Sequence, residues 1–305
     1  MILKKNNYLI KTNMSNETET IIYNGLRDND FQYFLNKILK KANIKEHYIN
    51  YLLSVDSLKQ YNIAFTAPSA NPDHNYEVYE QLGDLSANKF IVNYMYDKFP
   101  KLQCCECVKI VARLRILYGS KQTFSKIAEE LGFWIYISSS EDQRNTEKKK
   151  LLEDTFEAFI GVTEYLLDSY YEKQNIEKGV GYAVVYKLLE NVFNNIHISL
   201  KYEDLYDAKT RLKELFDLYN KGDSNIGLLI YEETKDVEAR LTTSFVYQKL
   251  SDSNRKLLGQ GCASLKADAQ QRAAAFGIIK MNMMGYIKQV PQIYIDLCNE
   301  YKITK

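Results

Sequence analysis

Glu77, Glu80 and Asp84 stand at i, i+3 and i+7 in the stretch NYEVYEQLGD. On a helix turning about 100° per residue, that spacing keeps the three acids within roughly 60° of arc. Ile91 and Met95 continue the same line as core positions, so the acids lie at the edge of a buried face. No Lys or Arg falls between Glu77 and Lys89 to neutralise them. A carboxylate buried without a partner is costly enough to take up a proton or recruit a cation. A second acidic line follows in EDTFEAFIG, where Asp154 and Glu157 stand at i, i+3 with Gly161 one turn on, much as Gly83 sits inside the first line. Glycines on both lines let two helices approach until their acids converge. Glu80, Asp84, Asp154 and Glu157 facing one another would form a hard-oxygen set suited to Mg²⁺ or Mn²⁺. Such a set activates water and stabilises charge in phosphoryl transfer. Taken one helix at a time, the same acids also read as solvated residues on amphipathic helices.

The elements that must position them are legible in outline. From about Asp28 to Tyr219 the periodicity is helical, and the four prolines, Pro68, Pro72, Pro100 and Pro291, fall outside the helical runs. Val78, Leu82, Leu85, Val92 and Tyr96 form an apolar arc beside the first acidic line. SKQTFSKIAEELGF reads as an amphipathic helix with Gly132 as its C-cap. The polar run SSSEDQRNTEKKK reads as a loop leading into the long helix that carries Asp154 and Glu157. Lys148, Lys149 and Lys150 there would either touch phosphate or simply begin a helix in solvent. Beyond a boundary near residues 197 to 205 the pattern changes. IGLLIYEET, LTTSFVYQKLS and RKLLGQGCASL read as three strands, and an Ala-rich helix follows. The first residues, 1–27, rich in Asn, Thr and Ser, are expected to be a flexible arm, disordered or loosely docked.

The whole chain sets the bounds. At 305 residues, 46% hydrophobic, 26% charged and a net charge of +1, it has a globular composition, and bulk charge gives no reason to expect a general polyanion binder. There is no signal-peptide core and no apolar run of the roughly 20 residues that cross a membrane. Cys104, Cys105 and Cys107 crowd together, with Cys262 and Cys298 distant. That odd set suggests reduced thiols in a cytoplasmic or other reducing intracellular compartment rather than a disulfide framework. A zinc site at the cysteine cluster would need a fourth soft ligand at a recognised spacing, which the sequence does not supply.

NYEVYEQLGD followed by LLEDTFEAFIG resembles the signature of the ribonuclease III family, whose usual form is close to N-E-R-L-E-F-L-G-D with a downstream L-A-D-A-F-E-A-L-I-G. IAFTAPSAN resembles its upstream A-L-T-H-x-S-Y, and the likeness runs over about residues 50 to 195. The resemblance implies an all-α endonuclease domain over residues 28–200, a homodimer, and Glu80, Asp84, Asp154 and Glu157 as catalytic metal-binding carboxylates. Glu77 would be an auxiliary acid in the cleft that receives RNA. It further implies cleavage of double-stranded RNA to 5′-phosphate and 3′-hydroxyl products with short 3′ overhangs. Three positions depart from the family: Gln81 replaces the phenylalanine that plugs a pocket on the dimer partner, Cys104 takes the place of a cleft acid, and Ala67 that of a frequent His. DAKTRLKEL and LLGQGCASLKADAQQRAAA resemble the first helix, and the third strand, G-x-G turn and second helix, of a double-stranded RNA-binding domain. This gives a small α+β domain of order α-β-β-β-α over residues 206–290, then a tail, 291–305. Its expected RNA contacts are Thr210, Lys213, Glu214, Lys266 and Arg272. Between Tyr206 and Val290 there are 13 Lys and Arg against 10 Asp and Glu, a net charge of +3, so binding should be modest and salt-sensitive. The rival expectation is a non-catalytic double-stranded RNA-binding or sequestering protein on the same fold. Such proteins typically lose signature carboxylates, and this chain keeps all four.

Overall fold

Residues 148–172 carry too many apolar side chains to leave a solvated face, and they form the helix around which the first part of the molecule is built. The computed structural model describes residues 8–11, 20–175, 179–222, 225–251 and 253–302. It divides into two units, residues 1–197 and 198–305. In the first, β1 (Tyr8–Lys11) and β2 (Thr20–Tyr23) precede α1 (Asp28–Lys41), α2 (Glu46–Leu52), α3 (Val55–Ala64) and α4 (Glu77–Lys98). There follow α5 (Val108–Tyr118), α6 (Lys121–Leu131), β3 (Ser139–Ser140), α7 (Glu141–Thr146), α8 (Lys148–Glu172) and α9 (Val180–Phe193).

Helices α4, α6 and α9 pack around α8. Rings from several elements close one end of this core: Phe65 meets Phe31 edge-on at 5.0 Å, and Phe133 meets Phe159 edge-on at 5.5 Å. A polar contact deep in it is satisfied, Tyr61 Oη lying 2.8 Å from Thr163 Oγ1. Ser120 caps α6 by accepting from the Thr123 amide, and Gly132 ends it at φ +87°, a conformation glycine adopts without strain.

The second unit holds α10 (Tyr202–Leu205), α11 (Ala208–Lys221), β4 (Leu228–Asp236), β5 (Leu241–Lys249), β6 (Arg255–Ala263), α12 (Lys266–Met283) and α13 (Gln292–Glu300). The three strands form one antiparallel sheet in the order β4-β5-β6. Val246, Leu258, Leu212, Phe216 and Ala273 meet between the sheet and helices α11 and α12.

Several expectations need correction. Of the N-terminal arm, residues 1–7 and 12–19 lie outside the described residues. Residues 20–27 are docked: β2 pairs with β3 across more than a hundred positions, Ile22 is buried, and the Gly25 amide donates to Ser138 Oγ at 3.0 Å. The first unit is therefore not purely helical. The polar run after Ser138 is not a loop, because Ser140 caps α7 by accepting from the Gln143 amide. Val78, Leu82 and Leu85 are exposed, and α4 instead buries Tyr79, Gly83, Ala87, Phe90 and Ile91. The segment 291–302 is not a tail, since α13 buries Tyr294 and Leu297. Gly259 and Gly261 form no turn. They lie inside β6, where a Cβ would come within 2.3 Å of the Ala273 carbonyl oxygen and 2.5 Å of the Ala269 carbonyl oxygen, so they let α12 lie directly on the strand. Among the described residues, no helix is long and apolar enough to cross a membrane.

Candidate active site

Helices α4 and α8 cross backbone to backbone. A Cβ on Gly83 would lie 1.7 Å from the Glu157 carbonyl oxygen, and one on Gly161 would lie 2.0 Å from the Tyr79 carbonyl oxygen. No residue larger than glycine permits this approach, and it fixes how the two acidic lines face each other. Glu80, Asp154 and Glu157 each turn a carboxylate oxygen to one point, all within 4.8 Å of one another. Asp154 and Glu157 are only 4% and 6% exposed, so their charges are almost wholly removed from water.

The electrostatics follow from that burial. Desolvation, then the charges of Asp84 and Glu153, pushes Glu157 up to about 9. Desolvation and Asp154 push Glu80 up to about 7, against the pull of Lys150. Asp154 is raised by burial and held back by a hydrogen bond from Tyr76 Oη to its Oδ2 at 2.8 Å. Tyr76 is itself buried at the start of α4. Carboxylates crowded this closely resist full ionisation unless a cation joins them. Three convergent oxygen donors, two of them buried, are the donor set that hard divalent cations take. Metal binding is therefore the chemistry this arrangement favours.

The remaining expected residues are placed as follows. Asp84 stands beside the group rather than in it: its Oδ1 accepts from Asn88 Nδ2 at 2.7 Å, while its charge is the largest Coulombic influence on Glu157. Glu77 is exposed and lines a cleft of about 450 Å³ that Glu80 and Asp154 also line. Lys150 lines the same cleft, while Lys148 pairs with Glu129 at 2.6 Å and Lys149 Nζ donates to Gln122 at 2.9 Å. A further part of the cleft lining was missed from the sequence. It comes from α7, which contributes Asp142, Gln143 and Thr146. Ser69 Oγ donates to Gln143 Oε1 at 2.6 Å, and Gln143 Nε2 donates to Glu147 at 3.0 Å, so this part of the lining is tied down. The spacing Ser140-x-x-Gln143 is a capping-box signal that could have found it. Tyr76 was also missed, and nothing in its spacing marks it. Glu153, held by Lys121 at 3.1 Å, is a further acid at the edge of the cluster.

In the second unit the expected RNA contacts divide. Thr210 and Lys213 line a groove of about 420 Å³, and Lys213 is exposed. The Thr210 amide and hydroxyl both donate to Asp207, the cap of α11. Glu214 is engaged within the fold, its carboxylate held by Tyr202 Oη at 2.5 Å and by Lys288. Lys266 pairs with Glu233 at 3.1 Å, and Arg272 donates to the Cys262 carbonyl at 2.6 Å.

A family model described as the ribonuclease III domain matches residues 77–167, which span both acidic lines. A protein of Invertebrate iridescent virus 6, named as a candidate ribonuclease 3, is 41% identical over 291 residues, covering 92% of this chain and 98% of its own. Ribonuclease 3 of Desulfotalea psychrophila is 30% identical over 249 residues, covering 80% of this chain and 92% of its own. The solved nuclease domain of ribonuclease III from Campylobacter jejuni aligns with 53% of this chain and 98% of its own, at 22% identity and a TM-score of 0.41.

Proposed function

The chain belongs to the ribonuclease III family and is an endoribonuclease, and from that premise we propose that it cuts double-stranded RNA with a divalent cation, Mg²⁺ or Mn²⁺, held by Glu80, Asp154 and Glu157 with Asp84 beside them. The observation that carries this reading is the convergence of those carboxylates at the Gly83–Gly161 crossing. When bound, the cation supplies Lewis-acid stabilisation of the phosphoryl and leaving oxygens and lowers the pKa of water. The chain does the rest. The crossing fixes the carboxylates in place, so little reorganisation is needed at the moment of reaction. Tyr76 turns Asp154 by its hydrogen bond, leaving Oδ1 for the cation. Glu80, half-buried on the cleft side, serves either as ligand or to orient water, and Lys150 offsets phosphate charge in the cleft. The products would be 5′-phosphate and 3′-hydroxyl ends with short 3′ overhangs.

Exposed Val78, Leu82 and Leu85 along one face of α4 support a homodimer through that helix, because an apolar row of this kind is stabilised by burial against a second copy. The three-stranded sheet backed by α11 and α12, with Lys213 exposed on its groove, supports a double-stranded RNA-binding domain that reads duplex shape and phosphate. Five free thiols suit a reducing intracellular compartment. The test is incubation of the purified chain with a long RNA duplex in Mg²⁺, with EDTA as control and with product ends mapped. Metal-dependent duplex cleavage is expected. Binding without cleavage would overturn the metal assignment.

A further inference from the structure

Cys104, Cys105 and Cys107 lie outside the acidic centre, and no step above uses them. Cys104-Cys105-Glu106-Cys107 is a C-x-x-C segment, and its backbone closes a tight helical turn in which the Cys107 amide donates to the Cys104 carbonyl at 3.1 Å. A closure from i to i+3 keeps the end Cα atoms within about 7 Å. A disulfide spans about 4.4 to 6.8 Å between Cα atoms. After burial, Cys104 is the largest influence on the Cys107 thiol, ahead of Glu106 and Cys105. Adjacent Cys104 and Cys105 are separated by only about 3.8 Å along a trans peptide, too short for an unstrained bridge.

The two thiols differ in access. Cys104 is exposed, whereas Cys107 is fully buried with Sγ 3.7 Å from the Lys101 carbonyl oxygen. We propose that Cys104 and Cys107 form a thiol–disulfide exchange site for low-molecular-weight disulfides, in which exposed Cys104 reacts first and buried Cys107 resolves the adduct. In the first step the Cys104 thiolate attacks one sulfur of the small disulfide, forming a mixed disulfide and releasing one small thiol. In the second, Cys107 gives up its proton and attacks Cys104 Sγ, breaking the mixed disulfide and releasing the other small thiol. The chain loses two electrons and two protons, and the small disulfide gains both. Burial, then the neighbouring Cys104, pushes the Cys107 thiol up to about 12, which keeps it from competing as the first nucleophile. Because the adduct and the bridge both form by exchange, a reducing thiol pool reverses them.

The experiment treats the full chain with oxidised glutathione, blocks remaining thiols by alkylation, and maps peptides by mass. The wild type should lose the Cys104 and Cys107 thiols together, joined to each other, with no glutathione retained there. Cys107→Ser should hold glutathione on Cys104. Cys104→Ser, at an exposed position that does not threaten folding, should leave Cys107 reacting at least about tenfold more slowly, as a buried thiol does. Glutathione retained on wild-type Cys104, a bridge that includes Cys105, undiminished reaction of Cys107 in Cys104→Ser, or no reaction at all would each overturn the proposal.

Discussion

The two units treat charge in opposite ways. At the α4–α8 crossing, Glu80, Asp154 and Glu157 are brought together with burial raising all three, and no cation of the chain forms an ion pair with them among the described residues. In the second unit, Lys266 has Glu233, and Glu214 has Lys288 and Tyr202. A charge matched inside the fold is spent on holding elements together. Like charges forced together by a backbone crossing leave a free-energy cost that only an outside partner relieves. The difference separates residues that serve chemistry from those that serve packing, even where both match a family motif.

The largest break in that contrast is Glu157→Gln. The amide is nearly isosteric, so packing beside Phe156 and Gly161 should survive, but an anionic ligand is lost. Cleavage should fall by at least about a thousandfold, roughly 4 kcal/mol of barrier. Duplex binding measured in Ca²⁺ should stay within about threefold, since shape and phosphate contacts lie elsewhere. A mutant that cuts as fast as wild type ends the catalytic assignment.

The same crowding should be visible without RNA. Glu157 and Glu80 are pushed up from 4.5 to about 9 and about 7, so between those limits the folded chain holds more protons than the unfolded one. Stability contributed by the protonated pair is fully present below 4.5 and is lost as pH rises through about 7 and then about 9. In EDTA, Tm should decline across that window. Added Mg²⁺ or the Glu157→Gln change should flatten the decline, and identical slopes for mutant and wild type would show that the cluster is not strained.

What the sequence made legible follows the same division. Acids at i, i+3 with glycines on their lines announced the crossing, because helical spacing is local information. The face of α4 was misjudged since Val78, Leu82 and Leu85 reveal an apolar arc but not what covers it. The β2–β3 pairing and the docking of residues 20–27 depend on partners more than a hundred residues away, beyond the reach of local pattern. Helix α7 was hidden by its polarity and its short length, and α13 by its place after Pro291. Glu214 and Lys266 match a motif by position, but motif position does not reveal Lys288 or Glu233.

Gly83→Ala tests the backbone side of the contrast. Its Cβ would overlap the Glu157 carbonyl oxygen at 1.7 Å, so α4 must move away from α8. Overpacking of this kind costs about 3 kcal/mol, and in a unit the size of residues 1–197 that is a Tm loss of roughly 6 to 12 °C. A displacement of about 1 Å at the ligands should lower cleavage about a hundredfold in the protein that remains folded. Unchanged Tm and activity would mean the helices have room to spare.

A smaller effect is expected from Tyr76→Phe. The hydroxyl donates to Asp154 Oδ2, so its loss leaves the buried carboxylate less acidic and less fixed in orientation. Divalent-cation affinity, read by calorimetry without RNA, should weaken by about tenfold, while cleavage at saturating cation stays within about threefold. Unaltered affinity would reduce Tyr76 to a space-filling ring.

The smallest effects should come from the second unit, and there the contrast predicts a difference between two lysines that share one expected role. Lys213 is exposed on the groove beside Thr210 and enters no ion pair among the described residues, so its ammonium is available to a phosphate. Lys266 already has Glu233 at 3.1 Å, and contact with RNA would require breaking or sharing that pair. A phosphate contact releases about one counterion, so Lys213→Ala should reduce the slope of log affinity against log salt by about one. Lys266→Ala removes a charge that the fold has largely matched and also frees Glu233 to repel phosphate. It should weaken binding by no more than about threefold and leave the salt slope nearly unchanged. Duplex-binding titrations of both variants across a salt series would settle the matter. If Lys266→Ala flattens the slope and Lys213→Ala does not, RNA displaces Glu233 on binding, and the internal pairing seen here is a resting arrangement of the contact surface rather than evidence against its role.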